Sequence, residues 1–312
     1  MTAAIFTKQH SVFIVCLFFL ALFLPLPLYL FSLALFGLPH VVWEMGFLRS
    51  RYGARWPLKW WYVLFGILLL QAIYRANVWL DPSWSEKSQI IDMLSLGLLF
   101  LIVALAPMRI GWIARGVGFL LAIGIIFLLE QGGILMALLV LSIVHNFTPL
   151  AMVWDLRRTD PRFESLAWIM SGLFILPLLL IISGGAEIPI SLFNTYNSLL
   201  DTQLPIGWGE SYRDGMLSAI VLSQCLHYYS VIYLLPSAEN IRVENPVINK
   251  TVRIVTIVLV VLILGYYMSD YISARKLYAV ASGAHAWLEW PVLLMAILAI
   301  SSQKVKRGAS KE

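Results

Sequence analysis

The chain holds five histidines, and four of them, His40, His145, His227 and His285, stand inside long runs of apolar residues. An imidazole at that depth must find a hydrogen-bond partner or a metal ion, because an unsatisfied polar group in hydrocarbon is strongly disfavoured. Four neutral imidazoles brought together are a natural donor set for a soft-to-borderline divalent ion. Two of them carry a carboxylate one helical turn further on: Glu44 follows His40 and Glu289 follows His285 at i+4, on the same helix face. Such a carboxylate can accept the second ring N–H of a ligating histidine, fixing its tautomer, or can itself ligate. Tyr228, next to His227, offers a hydroxyl able to orient an oxygen-bearing group. His10, beside Lys8, is expected to be an uninvolved surface residue.

The elements that must position these residues are set by composition. Of 312 residues, 60% are hydrophobic and only 12% charged, with a mean hydropathy of +0.84. That is too few charges to cover a water-soluble globule of this size. Apolar runs at 11–36, 60–80, 89–107, 110–130, 132–154, 165–185, 214–236, 252–271 and 278–301 mostly approach the ~20 residues a helix needs to cross hydrocarbon. The expectation is an all-α polytopic transmembrane helix bundle of about 8–9 spans, folded as a single integral membrane domain over 1–312. The first run is too long and proline-rich for a cleaved signal. Cys16 and Cys225 both lie in apolar runs, which points to core packing and gives no thiolate metal site.

Charge placement orients the bundle. With the N-terminus outside and nine spans following, the outer segments hold only Lys8, Arg75, Lys87, Arg213, Arg275 and Lys276. The rest of the 22 basic residues fall inside, as the positive-inside rule requires. The C-terminus is then inside. On this topology the four histidines fall on odd-numbered spans. His40 and His227 stand nine residues, and His145 ten residues, before an inner helix end, about 14 Å along the axis. His285 lies deeper, nineteen residues before Lys304.

Local sequence adds detail. Gly37 and Pro39 can open the helix before His40, Pro149 removes a backbone donor beside His145, and Gly283 admits a close neighbour before His285. Arg75, Asp92, Arg115 and Glu130 lie near span ends, where water or headgroups can solvate them. The polar segment 186–213 reads as an ordinary surface loop. No phosphate loop, Ser-nucleophile motif, internal repeat or basic stripe interleaved with aromatics is present, which argues against phosphate chemistry and nucleic-acid binding.

The segment Gly37-Leu38-Pro39-His40 with Glu44 and Arg49 resembles the Gly-x-Pro-His-x-x-x-Asp signature of the Brp/Blh family, membrane-embedded β-carotene 15,15′-dioxygenases that make retinal. His145-Asn146-Phe147 with downstream Asp155 is similar to that family's His-Phe segment, and His227 and His285 follow in a comparable order. The chain departs from the pattern at Glu44, which stands for the usual Asp, and at Val41-Val42, which replace Gly-Ala. The resemblance implies a divergent member: a non-haem iron(II) oxygenase with His40, His145, His227 and His285 as ligands and Glu44 and Glu289 behind them. It implies O2 as co-substrate and a carotenoid-like lipophilic substrate arriving from the bilayer. The expected location is the inner membrane of a bacterium. Two alternatives stand beside it. One is a haem b electron carrier, which calls for paired histidines on neighbouring helices, whereas here each of four helices carries one. The other is a proton-coupled transporter using His and Glu, which would favour an inverted repeat.

Overall fold

The computed structural model describes residues 8–53, 58–105, 112–131, 133–186, 213–237 and 249–299, with residues 188, 191 and 196. Among them every regular element is helical: α1 (Lys8–Phe23), α2 (Pro25–Tyr52), α3 (Leu58–Leu80), α4 (Ser85–Leu105), α5 (Trp112–Glu130), α6 (Ile134–His145), α7 (Thr148–Thr159), α8 (Glu164–Leu173), α9 (Leu176–Ser183), α10 (Arg213–Tyr229), α11 (Lys250–Ser269) and α12 (Tyr271–Ala299). Short 3-10 turns at Pro82–Trp84 and Pro161–Phe163 lead into α4 and α8. The segment 186–213, read from sequence as a surface loop, lies almost wholly outside the described residues, as does the basic C-terminal tail.

Six helices among the described residues are long and apolar enough to cross a bilayer: Pro25–Tyr52, Lys59–Leu80, Pro82–Leu105, Pro161–Ser183, Arg213–Ser237 and Lys250–Ser269. The pair Ala137–His145 and Thr148–Arg158, bent by 46°, makes a seventh if it acts as one span. Exposed side chains agree with a lipid environment. On α11, Ile254, Val255, Ile257, Val258, Val261 and Leu262 are all exposed, a continuous apolar surface that water would not tolerate.

The chain divides into two compact units. The first comprises Met1–Glu44 and Leu139–Gly265, the second Met45–Leu138 and Tyr266–Glu312.

In the first unit α10 is the central helix, packed by α1 and α9, while α7 packs on α8. Close approach of α9 and α10 depends on glycine: a Cβ at Gly215 would lie 2.7 Å from the Leu180 carbonyl, and one at Gly185, whose φ is +73°, would strike the backbone at Asp214. The apolar run 11–36 is not one helix. Pro25 and Pro27 lack the N–H groups that would continue the ladder, and the Phe23 carbonyl, whose helical donor would be Pro27, accepts instead from Ile188 N–H at 2.7 Å. The joint is sharp. A straight helix would separate His10 from His40 by about 45 Å, yet His10 meets Tyr229 and His40 meets its neighbour Tyr228. The chain therefore folds back between α1 and α2.

In the second unit α12 packs against α3, α4 and α5, and α3–α4 and α4–α5 are neighbours. A buried polar cluster ties three of these helices. Arg75 on α3 makes a two-pronged pair with Asp92 on α4, Nε to Oδ1 and Nη2 to Oδ2, each 2.9 Å. Gln71 donates to the same Oδ1 at 2.9 Å, and Arg75 Nη1 reaches the Ala279 carbonyl of α12 at 2.8 Å. A Cβ at Gly283 would strike the guanidinium, so glycine makes room for it. Trp287 Nε1 then donates to the Asp92 carbonyl at 2.7 Å. Arg75 and Asp92 are thus partners inside the protein, which corrects their reading as separate span-end charges solvated by headgroups.

Candidate metal centre

Three expected residues and one expected carboxylate converge in the first unit. His40 and Glu44 come from α2, His145 from the end of α6 and His227 from α10. Their relative exposures are 2%, 0%, 8% and 0%, so water does not solvate the group. Each offers one ligand atom, and these atoms all lie within 4.8 Å of one another. Two nitrogens on opposite sides of one ion stand about 4.2 Å apart at ordinary bond lengths. The set is therefore within a slight contraction of enclosing a single ion.

Each side chain is placed by a local device. His40 Nδ1 lies 3.2 Å from the Phe36 carbonyl, one turn back. A carbonyl only accepts, so Nδ1 carries the proton and Nε2 is left as the lone-pair nitrogen. Pro39 leaves α2 helical while withdrawing one backbone donor next to the histidine.

His145 closes α6 because the helical donor to its carbonyl would be Pro149, which has none. The Thr148 hydroxyl donates to that carbonyl instead, at 2.8 Å. The turn tightens through Asn146 N–H to Ile143 O and Phe147 N–H to Val144 O, at 3.1 and 3.0 Å, and the chain bends by 46° into α7. His145 is thereby presented at a helix break, a location where irregular backbone is tolerated only when it lines a site or is buried. Asp155, the acid downstream, is buried on α7.

His227 lies at the end of α10, followed by a five-residue π-helical turn, Ser230–Leu234. Such turns recur at functional sites because the extra residue re-aims side chains. Its Nε2 is 3.4 Å from Glu44 Oε2. Neither ring nitrogen of His227, both buried, makes a hydrogen bond among the described residues. A metal ion would satisfy a nitrogen that protein groups leave bare.

The rings are in mutual contact. His227 and His145 have centroids 4.8 Å apart, and His227 and His40 5.3 Å apart. Imidazoles this close leave no slot between them for a porphyrin, which argues against axial haem ligation. Tyr228 is buried and stacks on His40 at 4.3 Å, with 29° between the planes. His285 and Glu289 belong to the second unit, both buried on α12 and one turn apart, with Trp287 between them fixed to α4.

His10 is the residue that sequence reading misplaced. It is not a bystander: its Nδ1 lies 2.6 Å from the Tyr229 hydroxyl and its ring packs on Tyr233 at 4.7 Å. The available signal was weak. His10 sits at i−3 and i−7 from the apolar Phe13 and Leu17, one face of α1.

Among the described residues the chain is thus all-helical, with helices suited to a membrane and a buried His/Glu cluster able to bind a metal ion. No family model, curated protein or solved structure matches it.

Proposed function

We propose that this chain is a membrane-embedded non-haem iron(II) oxygenase acting with O2 on a carotenoid-like lipophilic substrate taken from the bilayer. The observation that carries the reading is the dry donor set of His40, His145, His227 and Glu44, three imidazoles and one carboxylate within 4.8 Å. Nitrogen-rich sites with a carboxylate suit ferrous iron, and the imidazoles leave the ion's charge largely intact. The resemblance of Gly37-Leu38-Pro39-His40 to the Brp/Blh signature supports the same class.

His285 is assigned as a fourth histidine ligand on its sequence position, with Glu289, one turn on, behind it. Tyr228, stacked on His40, is assigned to positioning the reacting part of the substrate. Iron(II), when bound, would supply one-electron chemistry with dioxygen. The protein's own contribution is to hold neutral imidazoles in fixed tautomers and to exclude water. Membrane orientation follows the basic residues, N-terminus out and C-terminus in over 8–9 spans, in a bacterial inner membrane.

The test is metal analysis and an absorption spectrum of protein purified anaerobically in detergent, followed by incubation with β-carotene and O2. Bound iron near one per chain without a Soret band, lost in His227→Ala, is the expected result. A Soret band, or protein that takes up no iron when supplied with it, overturns the proposal.

A further inference from the structure

Within the second unit α12 is tied to its neighbours by polar bonds to backbone at two points. Arg75 Nη1 of α3 donates to the Ala279 carbonyl of α12 at 2.8 Å, and Trp287 Nε1 of α12 donates to the Asp92 carbonyl of α4 at 2.7 Å. Ala279 and Trp287 are eight residues apart, about 12 Å along the helix. A backbone carbonyl cannot turn away by changing rotamer, so two such bonds fix both the register and the rotation of α12. Apolar packing alone holds helices less exactly in hydrocarbon, because lipid tails compete equally for the same contacts.

The anchoring side chains are themselves held. The Arg75 guanidinium is pinned to both Asp92 oxygens at 2.9 Å, and Gln71 donates to Oδ1 of the same carboxylate. The guanidinium also lies 5.7 Å from the centre of the Trp287 ring, in space that Gly283 leaves open. Asp92 and Trp287 are buried, so water does not compete for these bonds.

Ala279, Gly283 and Trp287 follow one another at i, i+4 and i+8, a stripe about 80° wide. The buried pair His285 and Glu289 falls on a second stripe, centred about 140° from the first. One side of α12 is thus given to the clamp, and roughly the opposite side carries the histidine and its carboxylate. Along the axis His285 stands between the two anchor points, so a slide or rotation of the helix there is restrained from both directions.

We propose that Arg75 and Trp287 are positioning residues for His285: by locking α12 onto α3 and α4 they aim its imidazole at the metal. The inference rests on the assignment of His285 as a ligand and extends the site to residues that serve by geometry rather than by donor atoms. It also gives the buried ion pair a role. Apolar replacements of a buried pair often leave stability intact, whereas a ligating group must be held to about 0.5 Å and 10–20°, which directional bonds supply.

The test is a double-mutant cycle on ferrous iron affinity, measured anaerobically in detergent by competition with a chromophoric chelator. Trp287→Phe keeps an aromatic ring and removes the donor to Asp92. Its affinity is expected to fall about tenfold, the lower end of the effect of groups that orient a ligand. In a His285→Ala background, with no imidazole left to aim, Trp287→Phe should cost nothing further. A loss of stability alone moves neither number, because a chain folded throughout the titration binds with an affinity independent of its unfolding free energy. Thermal unfolding of each metal-free variant reports that it is folded. Arg75→Lys, which keeps the charge but lacks the planar fork that reaches Asp92 and Ala279 together, repeats the cycle at a second residue. Wild-type affinity in Trp287→Phe and Arg75→Lys, or a tenfold cost that persists without His285, overturns the inference and leaves the ligand assignment standing. Wild-type affinity in His285→Ala overturns the ligand assignment itself, and the role of the clamp with it.

Discussion

His227 is buried with neither ring nitrogen hydrogen-bonded among the described residues. Glu44 Oε2 stands 3.4 Å from its Nε2. Replacing His227 with Ala should abolish iron uptake, read by metal analysis of detergent-purified protein. Glu44→Gln keeps a group able to face the imidazole but removes the charge that favours a cation there. Metal affinity should fall by about 10- to 100-fold, as for other partners of ligating histidines, measured by competition with a chromophoric chelator. Unchanged affinity would remove Glu44 from the site. At this scale the sequence was informative where the residue type was costly in its surroundings: His40, His145, His227 and Glu44 stand out because hydrocarbon does not tolerate them without partners. His10 was illegible for the opposite reason. It sits near a polar flank where a histidine has no need of explanation, and its partner, Tyr229, is brought to it only by the fold-back at Pro25 and Pro27.

The helices show how prolines convert apolar runs into presenting devices. The bend at His145 exists because Pro149 cannot donate to the His145 carbonyl, leaving Thr148 to do so. Pro149→Ala restores that donor, so α6 and α7 should straighten into one helix and carry His145 away from its companions. The expected outcome is at least a tenfold loss of metal affinity, with helix content by circular dichroism unchanged or raised; full affinity would show that the break has no part in the site. The runs themselves were legible by length, but a hydropathy run does not register a fold-back. Only the missing N–H groups of Pro25 and Pro27 signal that 11–36 divides. The clamp between α3, α4 and α12 was hidden in another way, since nothing in the sequence pairs Arg75 with Asp92. Arg75→Ala leaves a buried carboxylate uncompensated, a loss of about 3–5 kcal/mol, seen as a lowered unfolding midpoint in detergent. Arg75→Ala with Asp92→Ala should recover part of it.

Asp270, between α11 and α12, gives the element scale its pH dependence. The Ser273 hydroxyl and backbone N–H hold its carboxyl below the ordinary carboxylate range. A lowered value means that the cap stabilises the folded state above the ordinary carboxylate pKa and is lost as pH falls through the lowered one. Asn caps helices as well as Asp does but does not titrate. On acidification from neutral pH, the unfolding midpoint of Asp270→Asn should therefore drop less than that of wild type, and equal drops would remove Asp270 from the acid response.

At the scale of the whole molecule the deciding quantity is where apolar side chains end up. Both units bury apolar cores, with Leu217 and Val221 in the first and Met93 and Leu96 in the second fully enclosed, yet much apolar surface stays outside. On α11 that surface runs from Ile254 to Leu262. In water it would drive aggregation, and in a bilayer it costs nothing, because lipid tails are as apolar as the residues that face them. Val258, near the middle of α11 and 53% exposed, is a direct probe of the difference. Val258→Arg places a charge at mid-span, disfavoured by about 2.5–3.5 kcal/mol on insertion scales. In membranes the variant should integrate poorly and become extractable at alkaline pH while wild type stays in the pellet. The same exposed position in an aqueous protein would accept Arg without loss, so retention of Val258→Arg in the alkaline-resistant fraction would mean that this face of α11 does not meet lipid.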